Sequence, residues 1–121
     1  MSAHRAFQWS PVGCAFRDCG LRALGDIVER VNAGYHRLRY DYALDAPDNP
    51  AGIYERSDHY QYAKHGIPIA FFFTGVHDEY HGLDDEIDRI DFPKLRRITQ
   101  TVYGIARELA TRPQRPAVDA R

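Results

Sequence analysis

The chain has 121 residues, of which 44% are hydrophobic and 27% charged, and its formal net charge is −1. Those values describe one ordinary globular domain with a single core, and near-neutrality removes the basic field that draws nucleic acid or an anionic membrane. The longest apolar run, residues 67–73, falls far short of the roughly 18 residues of a spanning helix, so no membrane partner is expected.

Residues 1–19 show neither helical nor strand periodicity, and Pro11 and Gly13 interrupt what pattern there is. They read as a poorly ordered leader, without the apolar stretch of a secretory signal. Cys14 and Cys19, a C-x4-C pair, could close a small disulfide loop or supply two thiolates to zinc. Structural zinc wants four ligands at tighter spacing, and no second cysteine pair exists. Two free thiols is the reading taken.

From Leu21 the pattern turns helical. Leu21, Leu24, Ile27, Val28 and Val31 share one face, with Arg22, Asp26, Glu29 and Arg30 on the other, and Asn32-Ala-Gly34 provides a stop. Residues 35–44 then alternate, with Leu38, Tyr40 and Tyr42 as the inward set of an expected strand. Residues 45–50, with two prolines among Asp and Asn, read as a loop. Ser57 or Asp58 can cap a short helix over 58–65 that Gly66 ends.

Residues 67–73, IPIAFFF, do not alternate in polarity, so the expectation is a strand covered on both faces. Residues 74–88 are polar and irregular. Asp91 is the expected cap of a long last helix, with Pro93 tolerated in its first turn. In that helix Phe92, Leu95, Ile98, Val102, Ile105 and Leu109 form an apolar stripe, while Lys94, Arg97, Gln100, Thr101 and Glu108 are expected to face away. The element order is α, β, short α, β, long α, which predicts an α/β layering of helices over a sheet. Only two strands are legible, and two make a poor sheet.

Chemistry concentrates in residues 56–85, which hold four of the six histidines on either side of the apolar run. His77 and His81 stand four apart in H-D-E-Y-H, a superficial match to the zincin helix motif. Asp78 replaces the Glu that acts as base there, and the segment follows a strand rather than lying in a helix. His59 and His65 sit at opposite ends of a short helix and do not converge. The carboxylates Asp58, Asp78, Glu79, Asp84, Asp85, Glu86 and Asp88 suit hard ligands or a general base, although Glu86 and Asp88 read better as loop and cap residues. A phenol beside a histidine, as in Tyr80-His81, can place a donor where an oxyanion forms. No nucleophile elbow, phosphate loop, dinucleotide fingerprint or C-x-x-C is present.

The order R-S-D-H-Y-x-Y-A-K-H-G-I-P, an apolar strand, H-x-E-Y-H-x3-D and an amphipathic helix resembles the C-terminal part of the di-zinc aminopeptidases. That metallopeptidase family 28 also includes glutamate carboxypeptidases and glutaminyl cyclases. The resemblance spans residues 21–113 and includes the D-Y-x-x-D-x-P-x-x-P loop. It implies that His81 is a zinc ligand and that Tyr80 hydrogen-bonds the tetrahedral intermediate. It also implies that Asp85 orients the ligand loop, and that Ser57 and Asp58 support the site without binding metal. Leu83 departs from the proline common in the family.

The resemblance further implies an H-x-D pair, a bridging Asp, an adjacent Glu-Glu and one more Asp. The first 55 residues contain no H-x-D, and the whole chain contains no Glu-Glu. The expectations are therefore a partial three-layer α/β/α zinc-exopeptidase fold with an incomplete sheet covered by helices. A leader (1–19) precedes the peptidase segment (20–112), and a disordered tail (113–121) follows it. The parent cofactor is a pair of zinc ions acting on a peptide substrate, with at most weak zinc binding by this chain alone. The segment is expected to be inactive by itself, as if truncated. It would await a missing N-terminal half or self-associate. The alternative is a non-catalytic interaction module that binds a partner chain through its sheet edge. Many members of the resembled family are secreted or periplasmic.

Overall fold

A computed structural model describes residues 10–11, 22–42, 49–74 and 77–116. Outside the described residues lie Cys14 and Cys19, most of the leader, Leu21, the greater part of the Pro-rich loop and the end of the tail. Two helices organise the rest: α1, Arg22–Gly34, and α3, Phe92–Thr111. A short helix, α2, His59–Ala63, comes between them.

α1 forms where the apolar spacing places it. Leu24, Ile27, Val28 and Val31 are buried, and together with Ile105 of α3 they make the core. Tyr40, Ala70, Phe72 and Leu109 pack against that cluster from the sides. At about 1.5–3 kcal/mol per fully buried large aliphatic side chain, these contacts are the main favourable term available to so small a unit. At the exposed rim of the helix pair Arg30 bridges to Glu108, a contact of the kind that contributes about 0–1 kcal/mol. α3 begins as expected: the Asp91 carboxylate accepts from the Lys94 N–H at 3.0 Å, and Pro93 lies in the first turn.

The buried face of α3 is not quite the stripe read from the sequence. Thr101, Gly104 and Ile105 are its buried residues, whereas Phe92 is 54% and Leu95 46% exposed. Thr101, expected to face away, is fully enclosed, and its hydroxyl donates to the Arg97 carbonyl at 3.0 Å. The rotation follows from Gly104. A Cβ there would stand 2.9 Å from the Tyr35 ring and 3.1 Å from Val31, so the missing side chain is what lets α3 lie this close to the end of α1.

The expected strand over 35–44 does not form over its described part, residues 35–42. After α1 the Tyr35 and Arg37 amides both donate to the Asn32 carbonyl, at 3.2 and 3.0 Å. The Asn32 side chain then does what a neighbouring strand would do: Nδ2 donates to the Leu38 carbonyl and Oδ1 accepts from the Leu38 N–H, both at 2.7 Å. The segment is irregular through Tyr42. Alternation alone cannot make a strand without an edge to pair with.

Residues 67–73 supply only the two-residue strand β2, Phe72–Phe73. It pairs antiparallel with β1, Ser10–Pro11, in the register Ser10↔Phe73 and Pro11↔Phe72. Of the rest of that run, Ile69 is buried and Ile67 is half exposed. The expected α/β class, with its partial three-layer α/β/α arrangement, is thus corrected. The described residues are mostly helical, and a ladder of two residues a side is no sheet layer. The physical reason is lack of partners. An interior strand is stabilised by neighbours on both edges, and among the described residues 68–71 have none.

Candidate functional site

Both motifs singled out from the sequence lie beside the 67–73 segment, at its two ends. At the first end, the Ser57 carbonyl accepts from the Tyr60 N–H and the Asp58 carbonyl from the Gln61 N–H, each at 3.1 Å, which starts α2. Asp58 stands at the N-cap but its side chain makes no capping bond, and both residues are exposed. Gly66 ends this unit at φ 72°, a left-handed turn that glycine enters without strain. His59 turns inward. Its Nε2 lies 2.8 Å from the Tyr54 carbonyl, which can only accept, so Nε2 is the donor of this contact. Nδ1 is buried with no hydrogen-bond partner among the described residues.

Aromatic rings run from there to the second motif. His59 stacks on Phe71 at 4.1 Å, Phe71 on Phe73 at 6.0 Å, and Phe73 meets Tyr80 edge-on at 6.3 Å. Tyr80 touches His81 at 4.1 Å and His77 at 5.8 Å. The i, i+2 spacing of Phe71 and Phe73 puts both on one side of an extended chain, while Ala70 and Phe72 pack on the helical core. The phenylalanines were legible as a buried run. That they would connect the two histidine motifs was not, although their two-residue spacing was the available signal.

The second motif is a tight turn. The Tyr80 N–H donates to the His77 carbonyl at 3.0 Å and the Gly82 N–H to the Glu79 carbonyl at 2.7 Å. His81 is held at φ 61°, a conformation uncommon for residues other than glycine and most tolerated by Asn, Asp and His. Gly82 closes the turn because a Cβ there would stand 3.0 Å from the Glu79 carbonyl oxygen. Glu79 anchors the whole turn: its carboxylate accepts from His77 Nδ1 at 3.3 Å and from Arg89 at 3.1 Å. Its own backbone N–H, then the His77 hydrogen bond and the Arg89 charge, hold that carboxyl below the usual range.

Beside this turn is a cleft of about 510 Å³, lined by Thr74, His77, Glu79, Asp85, Arg89 and Lys94 together with the apolar Ile90, Leu95 and Ile98. Burial lowers the Lys94 ammonium below its usual range, against the opposing pull of Asp91. Asp85 is exposed and is tied to the turn through its N–H, which meets the Gly82 carbonyl at 3.4 Å. Tyr80, His81 and Asp85 are therefore brought together. Among the described residues no hydrogen bond or ring contact joins Ser57 or Asp58 to His81.

The sequence model of peptidase family M28 matches residues 16–106, well over half of the chain. The chain belongs to peptidase family M28. No curated protein and no solved structure matches it. Membership makes a zinc-dependent peptidase-like function the coarse assignment, and hydrolase and metallopeptidase the reaction class. The M28 metal does not fit the residues in hand. Among the described residues no three His, Cys, Asp or Glu side chains converge as a metal-binding group. Within the turn, His77 is engaged by Glu79, and Glu79 by Arg89 as well. No helix among the described residues is long and apolar enough to cross a membrane.

Proposed function

We propose that this M28 chain is the C-terminal segment of a zinc-dependent exopeptidase of the di-zinc aminopeptidase type. The parent reaction is hydrolysis of a peptide bond by a zinc-activated water. In this reading His81 is one metal ligand and Tyr80 the donor to the tetrahedral intermediate. Asp85 orients the turn, and Ser57 and Asp58 support the site from the start of α2. The remaining ligands and the general base come from polypeptide other than these 121 residues, so the chain alone is not a competent peptidase.

The observation that supports this most is the ring ladder from His59 through Phe71 and Phe73 to Tyr80. It ties the S-D-H and E-Y-H motifs to one face of one segment, so that a single rigid support serves both. The electrostatic clamp at Glu79 works toward the same end, because a ligand loop must be oriented before it meets a metal.

The test is an aminoacyl-amide assay with added zinc, run on the purified chain beside His81→Ala and Tyr80→Phe. Rates at background in all three, and zinc affinity of the parent chain no greater than that of His81→Ala, are expected. Zinc-dependent turnover by the chain that vanishes in His81→Ala would overturn the claim of incompetence. It would also point to a site completed between copies.

A further inference from the structure

Tyr80 and His81 are the two central residues of a turn that the Gly82 N–H closes on the Glu79 carbonyl at 2.7 Å. His81, the second of the pair, has φ 61°, the sign that a type II turn requires and that glycine or Asn ordinarily supplies. A histidine keeps such a backbone only where its surroundings impose it. The sign of φ also decides where the Cβ points, so the form of the turn sets the direction of the imidazole.

Glu79, the first residue of that turn, is held from outside it. Among the described residues its carboxylate meets two side chains, accepting from Arg89 Nη1 at 3.1 Å and from His77 Nδ1 at 3.3 Å. Arg89 ends a single 3₁₀ turn, Ile87–Arg89, and lies just ahead of the Asp91 cap of α3. Its guanidinium therefore ties the first residue of the turn to the start of that helix. His77, on the other side of the carboxylate, meets the Tyr80 ring edge-on at 5.8 Å. One carboxylate thus connects Arg89 to both residues given a part in the reaction.

We propose that Arg89 is a positioning residue for that reaction. Acting through Glu79, it keeps the turn in its positive-φ form and so presents His81 and Tyr80 before any metal arrives. The proposal rests on the reading of His81 as ligand and Tyr80 as donor. A ligand depends on such outer partners for its orientation. Arg89 is exposed, and an exposed ion pair contributes little to the stability of a fold. Its effect here is local: it selects between two forms of one turn.

Nuclear magnetic resonance of the full chain, with neither zinc nor substrate present, tests this. A positive φ gives a strong intraresidue cross-peak between amide and α protons, and His81 of the parent chain should show it. Arg89→Ala should reduce that peak to the level of a residue with negative φ. It should also shift the amide signals of residues 77–82 while leaving those of the α1 and α3 core in place. Arg89→Lys, which keeps the charge, should restore part of the peak. Glu79→Ala should match Arg89→Ala, and the double variant should lose no more than either, because the two residues act as one unit. A peak indifferent to Arg89→Ala overturns the proposal, as does a parent chain without the peak or an Arg89→Lys variant no better than alanine. Losses that add in the double variant also overturn it, since Arg89 would then act other than through Glu79. So do shifts throughout α1 and α3, which would make Arg89 a support of the whole fold. The ligand reading of His81 stands or falls in the zinc assay, so the two failures are told apart.

Discussion

Tyr40 and Asn32 show how single polar residues act inside a small core. Tyr40 packs beside Phe72 and Tyr42, with ring centroids 6.2 Å away in each case. Burial first, and the nearby Glu29 carboxylate second, raise its phenol above the ordinary value. A raised folded-state pKa means that the neutral phenol is the form the fold favours. The stability it contributes is fully present below the unfolded value of about 10 and is lost as pH rises toward the folded one. Near-ultraviolet titration should show one of the eight tyrosines ionising only as the helical signal disappears, and Tyr40→Phe should remove that late component. Asn32, buried at 5% exposure, holds both polar groups of Leu38. Asn32→Ala strands the two in a partly buried place and should lower stability by about 2–4 kcal/mol in a denaturant melt. A loss under about 0.5 kcal/mol would mean that water replaces the amide.

At the level of elements, the contact between α1 and α3 is set by the smallest residue in it. Gly104→Leu would drive a side chain into Tyr35 and Val31, where even a Cβ has 2.9 to 3.1 Å of room. Overpacking of this kind costs about 1–3 kcal/mol, more than the roughly 1 kcal/mol of helix propensity gained on leaving glycine. A lowered melting temperature is expected, and an unchanged one would show that the helices slide apart freely. The start of α3 depends on its cap, so Asp91→Ala should cost about 1 kcal/mol. Faster amide exchange confined to the first turn of α3 would locate the loss. Helix bounds and caps were readable in the chain because they depend on near neighbours. The rotation that buries Thr101 was not, because it depends on which face of α3 meets α1.

For the whole molecule, the measurement that matters is the zinc-supplemented peptidase assay with the His81→Ala control. The expected inactivity follows from geometry as well as from ligand count. A water must be activated by metal and deprotonated by a base within hydrogen-bond reach. The described residues place one exposed histidine and one phenol in a turn where Glu79 is held by His77 and Arg89. The M28 assignment therefore describes lineage and reaction class, and this assay tests the proposed incompetence of the chain alone.

The linear chain determined by itself the two long helices, the Asp91 cap, the Gly66 stop, the buried aliphatic set of α1 and the family to which the motifs belong. Each of these is carried by residues within a few positions of one another, where spacing and local chemistry suffice. Only the tertiary structure decided that 35–42 and most of 67–73 would not become strands. A strand is a contract with another segment, and the chain's alternation says nothing of whether that segment is present. Contacts across the fold likewise decided that Asn32 would stand in for a strand edge, and that Gly104 would turn α3 onto α1. The same holds for Phe71 and Phe73, which join the histidine of α2 to the Tyr80–His81 turn. Those outcomes rest on contacts between residues far apart in sequence, and packing alone selects among the arrangements the pattern allows.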